Sequence, residues 1–121
     1  MPSYLLYQIK LSNDQYKEEL FRELKFKTMM LQDKDAQLAV HAASVFNLYK
    51  LVALIAADDL EEAFDAGNGY SKSSRTRIEK FRHAYSMSVG DVVVDINAEK
   101  AYVCCSVGWQ QIDFTPTTYA A

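Results

Sequence analysis

Leu48-Tyr49-Lys50-Leu51-Val52-Ala53-Leu54-Ile55-Ala56-Ala57 is apolar or aromatic at every position except Lys50. A run with no polar alternation suits a strand buried on both faces, and so a central one. Its unbroken part, Leu51 to Ala57, is far shorter than the roughly 20 apolar residues that cross a bilayer. Asp58-Asp59 follows at once and supplies an N-cap, because a short carboxylate accepts from the free amides of a helix start. Leu60, Ala63 and Phe64 then fall on one stripe. The acids Asp58, Asp59, Glu61 and Glu62 sit at the positive end of this helix, where the dipole favours them. Gly67 is its expected stop. A buried strand leading directly into a short amphipathic helix implies a sheet with helices laid against it.

Upstream, Tyr4 to Leu11 reads as a first strand. Leu5, Tyr7, Ile9 and Leu11 share one face; Tyr4, Leu6 and, less well, Gln8 share the other. Ser12-Asn13-Asp14 caps an amphipathic helix that runs to about Leu31 through Tyr16, Leu20, Phe21 and Leu24. Asp33 or Asp35 caps a shorter helix, expected to turn Leu38, Ala42, Val45 and Phe46 inward and Gln37 and Ser44 outward. Downstream, Gly67 to Ser71 is loop, and Ser73 to His83 fits a helix or an extended arm. Ser88-Val89-Gly90-Asp91 makes a tight turn into a strand, Val92 to Ile96, with the Asp91 side chain bonding an amide of the turn. Asn97 to Lys100 closes a hairpin onto Ala101 to Ser106, and Gln110 to Phe114 forms a last short strand. This order predicts an α+β fold, a mainly antiparallel sheet with two to four helices packed on one face. Residues 1–114 make one domain and 115–121 a flexible tail.

The chain has 121 residues, 50% of them hydrophobic and 24% charged, with a net charge of −3. Those values suit one globular core and argue against general coating of nucleic acid or anionic membrane. Cys104 and Cys105 are adjacent and point to opposite sides of a strand, so they form no disulfide framework. The first residues lack the pattern of a secretory leader. A cytoplasmic protein without a membrane partner is expected. The N-terminal strand, if at a sheet edge, would allow a homo-oligomer by pairing with a second copy.

Two charged segments and a few aromatic residues are the candidate binding elements. Lys72, Arg75, Arg77, Lys80, Arg82 and His83 form a basic stretch interrupted by Glu79, with Tyr70, Phe81 and Tyr85 alongside. Cations beside rings suit phosphates and bases; the alternative is a solvated helix whose cations face the acids of the 58–65 segment, across the molecule or in a partner. Those acids (Asp58, Asp59, Glu61, Glu62 and Asp65) lack the alternating spacing of a calcium loop and read as a helix start or a partner-facing acidic surface. Trp109, with Tyr102 and Phe114, either closes the sheet as core or serves as a binding anchor. His41 and His83 are far apart, and the cysteines lack the spacer of a zinc pair. These residues compose no catalytic constellation, metal pattern or cofactor motif.

The segment His83-Ala84-Tyr85-Ser86-Met87-Ser88-Val89-Gly90-Asp91-Val92-Val93-Val94, followed by Ala101-Tyr102-Val103 and by Val107-Gly108-Trp109-Gln110-Gln111-Ile112, resembles a pattern of small bacteriophage and mobile-element proteins that is also similar to YodL-like domains. Leu51 to Phe64 with Asn68 extends the resemblance to residues 49–112. The resemblance implies a phage-type accessory role and carries no catalytic residue with it. Two functions are expected: a non-enzymatic phage-type protein that binds and modulates a host protein, in host takeover or anti-defence, or, from the basic 72–83 segment with its neighbouring rings, a nucleic-acid or nucleotide binder.

Overall fold

A computed structural model describes residues 2–29, 36–69 and 75–114. The expected caps at Asp33 and Asp35, the binding candidates Tyr70 and Lys72, and the tail at 115–121 lie outside the described residues. Six strands, β1 (Ser3–Ile9), β2 (Tyr49–Ala56), β3 (Arg77–Lys80), β4 (Val92–Asp95), β5 (Lys100–Cys104) and β6 (Trp109–Ile112), form one sheet. Their order is β3-β2-β1-β4-β5-β6, and every neighbouring pair is antiparallel. Four helices accompany it among the described residues: α1 (Asn13–Tyr16), α2 (Glu19–Met29), α3 (Ala36–Val45) and α4 (Leu60–Gly67). The fold is α+β with an antiparallel sheet.

Both faces of the sheet are covered, which is why β1 and β2 are apolar without alternation. On one face Tyr7, Ile9, Tyr49, Val92 and Val103 meet Val40 and Ala43 of α3, and Phe21 and Leu24 of α2. On the other, Tyr4, Leu6, Ala53, Ile55 and Val93 meet Ala63, Leu60 and Phe64 of α4, together with Met87. Helices packed on one face only are thus corrected to helices on both. Register shifts by one residue between Leu6 and Tyr7, which pair with Ala53 and Leu51. Val52 is the extra residue of this bulge, and its carbonyl accepts from the amide of Phe81 just past β3.

β1 lies between β2 and β4, not at an edge. Burial on both sides holds it inside, so the self-pairing route expected of an N-terminal edge strand is closed. The edges are β3, fully exposed and carrying Arg77, Glu79 and Lys80, and β6. Charges along β3 discourage pairing with another chain.

Helix ends follow the local chemistry. Ser12 Oγ accepts from Gln15 N while Gln15 Oε1 accepts from Ser12 N, a reciprocal cap. The predicted long helix is two, because α1 stops at Tyr16 and α2 begins at Glu19. In α3 the buried face is Ala36, Val40 and Ala43, whereas Leu38 is 71% and Val45 64% exposed and Phe46 is also exposed. The expected inward set is therefore corrected: small residues bring the helix axis close to the sheet, and the larger apolar residues are left outside. Asp59 caps α4 by accepting from Glu62 N. The helix ends at Gly67, but the left-handed residue is Gly69 (φ 78°). Gly67 is needed for a different reason, since a Cβ there would lie on the Met87 thioether.

Candidate functional site

The connection from β3 to β4 must cross the sheet from its outer edge over β2 and β1, and one polar side chain of β1 anchors it. Gln8 is 2% exposed. Its Nε2 donates to Tyr85 O (2.8 Å) and to Asp91 Oδ2 (3.0 Å), and its Oε1 accepts from Tyr85 N (3.0 Å). The amide thus pairs with the crossing backbone as another strand would, leaving few buried polar groups unmet. Asp91 Oδ2 also accepts from Ser88 N (3.0 Å), as expected for this turn. Burial pushes the Asp91 carboxyl up to about 6, against the bonds from Gln8 and Ser88 that favour its ionised form. Tyr49 Oη donates to Gly90 O (2.6 Å), and burial beside Asp91 raises its pKa too. Gly90 has φ 95°, which the turn requires.

On the α4 face of the sheet an open cleft of about 780 Å³ lies between α4 and the ends of β4, β5 and β6. Tyr4, Phe64, Tyr102 and Trp109 contribute four rings to it, and Asp59, Glu61 and Asp95 three carboxyl groups. Register explains the gathering. Tyr4 pairs with Asp95 across β1 and β4, while Trp109 pairs with Cys104 across β5 and β6, so alternate residues of four strands reach one face. Phe64 of α4 meets Trp109 edge to face, with centroids 6.1 Å apart. Asp59 is held as the cap of α4, and Asp95 Oδ1 accepts from Asn97 N and Ala98 N. Burial, then the charges of Asp95 and Asp59, raise the pKa of the Tyr4 phenol, so the floor of the cleft sits in a negative field. Among the described residues, no lysine, arginine or histidine lines it.

Cys104 and Cys105 both border this cleft, and Cys105 also packs in the core of the opposite face. Both are buried and in the thiol form rather than a disulfide. Burial, with Asp91 and Cys105 nearby, pushes the Cys104 thiol up to about 11, which keeps it protonated and a poor nucleophile near neutral pH. His83 stacks edge to face on Tyr85 (5.2 Å), and His41 is exposed on α3. Among the described residues no cluster of metal-ligating side chains is present. Nor, among them, is any helix long and apolar enough to cross a membrane.

Arg75 pairs with Asp58 (3.8 Å), and Thr76 Oγ1 donates to Glu62 (3.0 Å). Arg75 and Thr76 therefore face the acids of the 58–65 segment. Residues 77–80 form edge strand β3, where Arg77 and Lys80 point to opposite faces. Arg82 lies near Lys50, whose pKa falls through burial and this like charge. Lys10 and Lys25 converge instead on the exposed ring of Tyr85, at 4.7 and 5.8 Å from its centroid, and Lys10 Nζ donates to His83 O. Of the residues singled out in the sequence, Asp59, Glu61, Tyr102 and Trp109 come together in the cleft. Phe114 does not join Trp109, because it packs on the opposite face against Tyr7 (5.1 Å) and Tyr49 (5.5 Å). Sequence reasoning misses Tyr4, Phe64 and Asp95 as site residues. The first two read as core, and Asp95 as part of a hairpin end. No protein-family model matches the chain, and neither a curated protein nor a solved structure matches it.

Proposed function

We propose that this protein is a non-enzymatic accessory protein, of the phage type its C-terminal half resembles, that binds and modulates a host protein in the host cytoplasm. The observation that supports this reading is the cleft between α4 and the β4–β6 end of the sheet. Half-buried aromatic rings around a polar rim are the composition of binding hot spots. The buried, protonated Cys104 beside them favours recognition over bond-making. Takeover of a host activity or suppression of a host defence fits such a binder.

The test is affinity capture from host lysate, with and without nuclease, by wild-type protein and by Trp109→Ala and Glu61→Lys. A partner protein that survives nuclease and is lost with both variants supports the reading. Material that vanishes with nuclease and depends on Lys10, Lys25 and His83 would replace it with nucleic-acid or nucleotide binding at the Tyr85 cluster, the arrangement that favours that second reading.

A further inference from the structure

The cleft has a marked sign. Three carboxyl groups surround its four rings, and no cation stands among its described lining residues. Asp59 comes from the start of α4, Glu61 from its first turn and Asp95 from the end of β4. Asp59 and Glu61 are exposed and Asp95 half-buried, so each retains access to an incoming group. The cation paired in register with Asp95 is Lys100, exposed at the start of β5. The π-faces of aromatic rings are themselves negative and attract cations, most strongly for Trp. Rings and carboxylates therefore select the same ligand charge.

We infer that the cleft is a recognition site for an arginine side chain presented by the partner protein, held between the Phe64 and Trp109 walls and the carboxylates of Glu61 and Asp95. Arginine fits better than lysine. Its planar guanidinium stacks on rings, pairs in a fork with carboxylates and sheds water more readily than an ammonium group. The assignment rests on the partner-binding reading above and names the chemistry of the contact.

Trp109 is the chain's single tryptophan, so its emission reports on the cleft alone. Short capped peptides with one arginine, and the same peptides with neutral citrulline in its place, are titrated into the full chain. A saturable change with the arginine peptide is expected, weakened about ten-fold by citrulline. A similar loss is expected in Glu61→Gln, whose exposed side chain makes no hydrogen bond to another described residue, and salt should weaken binding in the same direction. Equal response to arginine and citrulline, or no saturable change, overturns the inference. Partner capture separates the two failures. A host protein lost with Trp109→Ala while arginine peptides do not bind leaves the partner-binding reading standing and removes the arginine assignment. Arginine binding without a captured protein does the reverse.

Discussion

Asp91 is the buried acid on which the crossing connection turns, and replacing it with asparagine isolates one quantity. The carboxyl is 8% exposed, and its pKa stands at about 6 against an ordinary 3.8. Below about pH 4 it is neutral both folded and unfolded. Between about pH 4 and 6 the folded protein keeps the proton that the unfolded chain releases, so stability falls as pH rises. Above about 6 the full cost of the buried charge is present. At about 1.4 kcal/mol per pH unit, that interval corresponds to about 3 kcal/mol. The wild-type curve sums every titrating group of the chain, so it alone does not isolate Asp91. The Asp91→Asn variant keeps a side-chain oxygen to accept from Gln8 and Ser88 but has no group there to titrate. Urea unfolding of wild type and variant across roughly pH 4 to 7.5 gives the difference directly. The wild type should gain on the variant by up to about 3 kcal/mol as pH falls from about 7 to 4. A difference that stays flat, or that grows in the opposite direction, refutes the claim that burial outweighs the two hydrogen bonds at this carboxyl.

Gln8→Leu strips partners from the Tyr85 amide, the Tyr85 carbonyl and Asp91 together, and should cost about 2–4 kcal/mol in urea unfolding, with amide exchange accelerating across 83–91 before the rest of the sheet. On α3, Val40→Ala should cost about 2 kcal/mol, whereas Leu38→Ala changes the unfolding free energy by less than about 0.5 kcal/mol; the reverse ranking would mean that the helix packs on its other face. Both cysteines should resist a thiol reagent at about pH 8 in the native protein and react fully in denaturant, and rapid modification of Cys104 when folded would contradict its protonated, buried state.

What is legible in the sequence is whatever depends on neighbours in the chain. The Ser12 and Asp59 caps, the Ser88–Asp91 turn and the two-sided burial of β2 are set by residues within a few positions of each other, and they stand where the sequence places them. What depends on contacts distant in sequence is less legible. Periodicity points to the wrong face of α3 because it marks the larger apolar residues, while a helix lying close on a sheet favours alanine and valine at the contact. Gln8 looks like a blemish on a strand face, and only the path of residues 81–91 over β1 shows that an apolar residue there would leave backbone groups buried without partners.

The candidate site shows the same division. Trp109 and the acids of α4 are visible as candidates, yet nothing local ties them to Tyr4 or Asp95. Those two join the site only through the register of β1, β4 and β5. That register also weighs between the two expected binding surfaces. Pairing of β3 with β2 divides Arg77 and Lys80 between faces, and folding sets Arg75 against Asp58, so among the described residues the run of positive charge makes no continuous stripe in space. The rings and carboxyl groups, scattered in the sequence, converge on one concave surface of one sign. A binding surface is made by convergence rather than by composition, and for this chain convergence favours the acidic, aromatic end of the sheet.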